Sequence, residues 1–244
     1  LDDRSVALQS DLRPEPAHLE HVHEAVLEDG LDDGADAVGD RVERGELRLH
    51  VGRERRVRGG TQVDGARPPP ALTAAHQVIR LDQRGIGAST RGTAAVTIDQ
   101  LADDCIAVLD HLGIESAIIL GHSTGGCITQ AIALRSPQHA KACVLTGTWT
   151  KPNRYMQELF KLRKGLLRSD PMAYAVSATF YSHEPSWLNA NWGALDASRA
   201  AAPLSPAAQN IVAERIDAIM AFDRSADVAR IKVPVLNIGA RDDL

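Results

Sequence analysis

The chain has 244 residues, 44% of them hydrophobic, and a formal net charge of -5. This composition allows one large core with an inserted subdomain, and it excludes the basic surface that a nucleic-acid-binding protein needs. No apolar run is long enough for a membrane helix and no signal peptide opens the chain, so we expect a cytoplasmic protein without a membrane partner.

The first 77 residues differ in composition from the rest of the chain. They contain no Ile, Lys, Phe, Tyr, Trp, Asn, Cys or Met, and every aromatic residue lies after Ile79. Residues 1–77 therefore resemble a disordered region, or a reading frame that was never selected as protein, and both explanations stay open. His18, His21 and His23 have extended-strand spacing without further ligands, and we predict no metal site there.

From residue 78 onward, strand and helix signals alternate. "VIRLD" (78–82) predicts a strand that ends in a Gly-rich turn, and residues 97–113 predict a helix with Thr97 and Gln100 as a capping box and Gly113 as its stop. Further strands are predicted at 116–120, 142–147 and 233–240. This alternation is typical of an α/β fold with a mostly parallel sheet.

"LGHSTGG" (120–126) has the pattern Gly-x-Ser-x-Gly directly after a buried strand and before a helix. A serine hydroxyl is a weak nucleophile, so a catalytic serine is held at a sharp turn with small neighbours, where a base can reach it. Ser123 is therefore the predicted nucleophile, and the backbone N–H of Thr124 is placed to donate to an oxyanion. His122 is expected to point away from Ser123 and to pack at the wall of the pocket.

Residues 150–230 carry no strand signal and collect most of the large aromatic side chains, which predicts a helical lid over a pocket. The lid separates a core at 78–149 from a last core strand at 231–244. The expected walls of the substrate pocket are Trp149, Tyr155, Phe180 and Trp187. The basic residues Arg154, Lys161 and Arg163 could meet a carboxylate, although charges on such a helix are more often solvated.

Three segments together resemble the α/β-hydrolase superfamily: "VIRLDQRGIGAS", the serine turn and "VPVLNIGARDDL", in that order. Residues 146–188 are similar to the lid of its small-metabolite branch, which includes aminoacrylate hydrolases and 3-oxoadipate enol-lactonases. The resemblance covers residues 78–244 and implies an α/β-hydrolase fold with an inserted helical lid.

The resemblance also implies residue roles. Ser123 corresponds to the nucleophile and Thr124 to the oxyanion donor, while Asp243, or less favourably Asp242, corresponds to the acid. The family's histidine follows the acid, and neither His139 nor His183 is at a suitable position. We therefore expect an incomplete, weakly active or inactive fragment.

The predicted function is serine-dependent hydrolysis of a small ester, lactone or amide-like metabolite through an acyl-enzyme. A noncatalytic binding protein with the same fold is the main alternative. Carbon–carbon bond hydrolases and cofactor-free haloperoxidases also share this fold. No metal or organic cofactor is expected, the three widely spaced cysteines indicate free thiols, and the oligomeric state stays open.

Overall fold

The computed structural model of the protein describes residues 25–29, 39–44, 47–54 and 76–240. The strands in these ranges are β1 Ala25–Asp29, β2 Gly39–Arg44, β3 Leu47–Glu54, β4 Gln77–Leu81, β5 Ala117–His122, β6 Ala140–Thr146 and β7 Val235–Ile238. The α-helices are α1 Ile98–His111, α2 Thr124–Arg135, α3 Arg154–Ser169, α4 Pro171–Ser182, α5 Pro185–Ala190, α6 Gly193–Ala200 and α7 Pro206–Ala221.

The described strands form one seven-stranded sheet in the order β2-β3-β4-β1-β5-β6-β7. Strands β5, β6 and β7 pair in parallel, and the other four pairings are antiparallel. Five of the seven described strands therefore run in the same direction, and β1 and β3 run in the opposite direction. The predicted α/β fold with a mostly parallel sheet is therefore confirmed.

Part of the segment predicted to be disordered or non-native contributes strands. In β3, Leu47, Leu49 and Val51 alternate on one face and are buried against the main core. The charged residues between them hid this two-residue period in the composition. Strand β1 pairs antiparallel with both β4 and β5. The other residues of this segment, 1–24, 30–38, 45–46 and 55–75, lie outside the described residues, and His18, His21 and His23 are among them.

Helix α1 forms where its sequence pattern predicts. The Thr97 hydroxyl accepts a hydrogen bond from the N–H of Gln100 at 3.0 Å, and the chain leaves the helix through Gly113, which has a φ of 68°. The side chain of Gln100 donates to Asp104 at 3.2 Å and not back to Thr97. Only one of the two hydrogen bonds of the expected capping box is therefore formed. The apolar face of α1 packs on the sheet in the main core.

A buried ion pair fixes the Gly-rich turn after β4 to α1. Two guanidinium nitrogens of Arg84 donate to the two carboxylate oxygens of Asp104 at 2.7 and 2.6 Å. Both side chains are only 2% exposed. This two-pronged geometry holds the carboxyl end of β4 in a defined position beside the helix.

The chain between β6 and β7 forms a helical insertion, residues 154–221, which comprises α3 to α7. The structure describes every residue between these two strands, and none of them is in a strand. A second apolar cluster joins α3 to α7 through Met156, Phe160, Ile216 and Ile219. The inserted helical region is thus confirmed. No helix in the described ranges is long and apolar enough to cross a membrane.

Candidate active site

Ser123 lies at the sharp turn between β5 and α2. Its φ of 52° and ψ of -120° make it the only residue other than glycine with a positive φ in the part of the chain that the structure describes. A side chain in this region of φ and ψ is strained, and such strain is concentrated at functional sites. The turn therefore has the backbone geometry that the Gly-x-Ser-x-Gly pattern predicts.

The glycines around Ser123 let β5, α2 and the loop after β6 approach one another closely. A Cβ on Gly121 would overlap the carbonyl oxygen of Gly125 and lie 2.5 Å from Thr129 Oγ1. A Cβ on Gly126 would lie 2.5 Å from the Cβ of Thr148. Both distances are shorter than any real contact, so only glycine fits at these two positions.

Three hydrogen bonds hold the backbone of Ser123. Its N–H donates to the carbonyl oxygen of Thr146 at 2.9 Å. Its own carbonyl oxygen accepts the N–H of Gly126 at 3.0 Å and the hydroxyl of Thr148 at 2.7 Å. The strained conformation is thus fixed by the helix on one side and by the end of β6 on the other.

Thr124 opens α2 and is only 2% exposed. Its backbone N–H is one of the first-turn groups that have no acceptor inside a helix, at the end where the helix dipole is positive. Its hydroxyl is also buried without a hydrogen-bond partner among the described residues. The neighbourhood of Ser123 therefore has donor groups available for a negatively charged oxygen.

Strand β7 ends beside the same edge of the sheet. Thr146 is opposite Ile238 in the parallel pair of β6 and β7, and the N–H of Gly147 donates to the carbonyl oxygen of Ile238 at 3.0 Å. Because Thr146 is also opposite His122, the chain leaves β5 and β7 at the same edge. The two aspartates predicted as the acid, Asp242 and Asp243, lie outside the described residues.

His139, His183 and His122 make their contacts with groups other than Ser123. His139 precedes β6, at the opposite edge of the sheet, and lies 3.3 Å from a carboxylate oxygen of Asp110. His183 stacks on Trp187 with ring centroids 4.0 Å apart. His122 is exposed and pairs with Thr146 at 3.2 Å. His122 was expected to be a packing residue, but it is the last residue of β5 and its side chain is exposed.

The aromatic residues predicted as pocket walls are spread over the helical insertion. Trp149 is half-buried and contacts both apolar clusters, so it joins the sheet to the insertion. Trp187 is half-buried under His183. Tyr155 and Phe180 are 60% and 55% exposed, which differs from the walls of an enclosed pocket. Their helices turn a different face toward the core.

The basic residues of the insertion also divide into two groups. Arg154 is exposed, and Lys161 is exposed and bonds Glu158. Arg163 is buried and donates to Ser177 and to the hydroxyl of Tyr181, at 3.0 and 3.1 Å. The expected solvated charge is therefore found at the first two positions and not at the third.

Two residues that bear on the function were missed in the sequence, Thr148 beside Ser123 and Arg215 on α7. Thr148 gave no signal, because its bond to Ser123 depends on how β6 and α2 meet. Arg215 did leave a signal: it lies one turn after Ile211 and one turn before Ile219, on the apolar face of α7. A charged residue at such a position has a special environment or a partner.

The fold and this turn identify a known family. The sequence pattern of the alpha/beta hydrolase fold family matches residues 68–244. The chain belongs to that family. It is 33% identical over 174 residues to "Putative carbamate hydrolase RutD" of Azorhizobium caulinodans, which covers 71% of this chain and 66% of that protein. The protein of the same name from Pseudomonas savastanoi pv. phaseolicola is 35% identical, over 76% of this chain and 73% of that protein.

Solved structures agree with the fold assignment. The enol-lactonase of Burkholderia xenovorans LB400 superimposes with a TM-score of 0.67 at 23% identity, over 82% of this chain and 80% of that one. A hydrolase from Pseudomonas aeruginosa gives a TM-score of 0.65 at 23% identity, with 85% and 81% coverage. The comparisons confirm the expected superfamily.

Proposed function

We propose that the protein hydrolyses a small carbamate, ester or lactone by covalent catalysis at Ser123. The observation that carries this proposal is the strained conformation of Ser123 at the start of α2, fixed by three hydrogen bonds to the backbone of Ser123. Its family membership and the carbamate hydrolases among its relatives support the substrate class. The N–H of Thr124 is the proposed oxyanion donor.

In the proposed reaction, the oxygen of Ser123 attacks the carbonyl carbon of the substrate and forms a bond to it. The carbonyl electrons move to oxygen, where the N–H of Thr124 stabilises the negative charge. The bond to the leaving group then breaks, and the leaving group takes the proton that came from Ser123. Water cleaves the acyl-enzyme by the same steps and restores the serine.

This reaction needs a base and an acid that orients it. Asp243 is the proposed acid and Asp242 the second choice, because both follow β7 in the sequence and β7 ends at the edge that carries Ser123. His122, His139 and His183 form their hydrogen bonds with groups other than Ser123. The second candidate function is a binding protein with this fold and without turnover.

A fluorophosphonate probe separates the two candidates, because it reacts only with an activated serine. The proposed enzyme is labelled once, and peptide mass spectrometry finds the label on Ser123. Ser123→Ala abolishes labelling. Ser136→Ala, the same substitution at the opposite end of α2, leaves it unchanged. Unlabelled protein, or a label that survives in Ser123→Ala, overturns the catalytic proposal.

A further inference from the structure

Arg215 is a buried cation without a counter-ion in the part of the chain that the structure describes. It lies on α7 and is only 9% exposed, and its Nη1 atom has no hydrogen-bond partner. The acidic residues beside it on α7 are paired elsewhere: Glu214 bonds Arg91 at 2.7 Å, and Asp217 bonds Lys164. No described carboxylate therefore neutralises Arg215.

Burial changes the pKa of the Arg215 side chain. Loss of hydration lowers the pKa of Arg215 to about 10, and the nearby hydroxyl of Tyr174 opposes this shift. A guanidinium group with this pKa is still charged at neutral pH. An unpaired charge in such a place destabilises the protein unless an anion binds to it.

A second buried arginine makes the same region more positive. The guanidinium carbon of Arg163 lies 4.5 Å from the ring centre of Tyr174, the residue that also interacts with Arg215. Arg163 is held by Ser177 and Tyr181, so it ties α3 to α4. Arg215, in contrast, has a free donor. Both cations attract an anion, and shielding from water strengthens that attraction.

The helix face that carries Arg215 is turned toward the edge of the sheet where Ser123 lies. Ile211, one helical turn earlier, lies 3.1 Å from the position of a Cβ on Gly85. Glu214 reaches Arg91. Gly85 and Arg91 belong to the loop that leaves the carboxyl end of β4, and Arg215 follows Ile211 by four residues on the same face. Arg215 therefore lies on the face of the insertion that is turned toward this edge.

We propose that Arg215 binds a carboxylate group of the ligand, between the helical insertion and the sheet edge that carries Ser123. The planar guanidinium group matches the two oxygens of a carboxylate, and its free Nη1 donor supplies one of the bonds. This inference deepens the proposed function and rests on it in one respect, that the anion belongs to the substrate. The proposed substrate is then a small metabolite that carries a carboxylate group.

The test uses the full chain and needs no turnover. Calorimetric titration compares propionate with propionamide, a neutral molecule of nearly the same shape, at constant ionic strength. Propionate is expected to bind more tightly than propionamide by about tenfold to a hundredfold, the usual effect of a charged hydrogen bond. Equal binding of the two probes, or no binding of propionate, overturns the inference without any variant.

Two substitutions locate the site. Arg215→Met removes the charge and keeps an apolar chain, and we expect it to weaken propionate binding by about tenfold to a hundredfold. Arg154→Met changes an exposed arginine of the same insertion and should leave binding unchanged. Unaltered binding in Arg215→Met contradicts the inference. If Arg215→Met does not fold, Arg215→Lys, which keeps the charge, takes its place and should bind more weakly than the wild type.

Stability distinguishes a binding role from a structural one. Without ligand, Arg215→Met should unfold at the same temperature as the wild type or at a higher one, because an unpaired buried charge is removed. A marked loss of stability would assign Arg215 a structural role instead. Ser123→Ala should bind propionate like the wild type, so failure of the serine mechanism is seen separately, as a lack of labelling with intact propionate binding.

Discussion

The closest approach between β5 and α2 can be tested by adding one methyl group. In Gly121→Ala the new Cβ would overlap the carbonyl oxygen of Gly125 and lie 2.5 Å from the hydroxyl oxygen of Thr129. That hydroxyl donates to the same carbonyl at 3.0 Å, so neither atom can move without breaking this bond. We expect a loss of about 3 kcal/mol in the free energy of unfolding, the upper end of overpacking costs.

The matched control is the same substitution in open space. Gly165 is inside α3, is exposed and would have no heavy atom within 4 Å of a new Cβ. Gly165→Ala should therefore stabilise the protein by about 1 kcal/mol, since alanine is the better helix former. The melting temperature should fall by about 6 to 12 °C in Gly121→Ala and rise by about 2 to 4 °C in Gly165→Ala.

Urea unfolding followed by far-ultraviolet circular dichroism measures both changes. The slope of the free energy with urea should stay constant, so that the shift in midpoint reports stability alone. If Gly121→Ala is as stable as the wild type, strand and helix do not approach as closely as the structure indicates. That result would also remove the packing argument for the conformation of Ser123.

Three further predictions concern groups inside the fold and beside Ser123. Asp104→Ala leaves Arg84 as an unpaired buried charge and should cost about 3 to 5 kcal/mol in urea unfolding; a loss below about 1 kcal/mol, the value for an exposed pair, would refute this. Thr148→Val removes the hydroxyl that bonds the Ser123 carbonyl and should slow fluorophosphonate labelling, whereas Thr148→Ser should restore the rate; equal rates in both variants count against a positioning role. Burial raises the pKa of the Cys143 thiol to about 11, so it stays neutral at pH 8 and iodoacetamide should alkylate it only in urea; rapid alkylation of the folded protein would disprove it.

The sequence could predict those elements whose signals are local. The helix at 98–111 was found because its cap, its apolar spacing and its stop all lie within the helix or within two residues of its ends. The serine turn was found because its glycines are required by contacts between two consecutive elements, β5 and α2. The strands after residue 78 were apolar runs between turns, and each was located within a few residues.

Features that depend on distant parts of the chain could not be predicted in this way. The position of β1 between β4 and β5 joins residues that are about 50 and 90 positions apart, and no local pattern encodes that pairing. The burial of β3 could have been found from its alternation, but composition suggested otherwise. The exposure of Tyr155 and Phe180 depends on how the inserted helices pack, which their own residues do not determine.

The end of β6 and the loop after it connect the proposed nucleophile to the strand that precedes its proposed acid. Thr146 accepts the N–H of Ser123, Thr148 donates to the carbonyl of Ser123, and Gly147 between them donates to Ile238 at the end of β7. Gly147 has a φ of 51°, a conformation that glycine adopts without strain. Three consecutive residues thus connect the serine turn to the strand that leads to Asp242 and Asp243. A displacement of β7 would therefore shift the backbone of Ser123 through these hydrogen bonds, none of which involves the helical insertion.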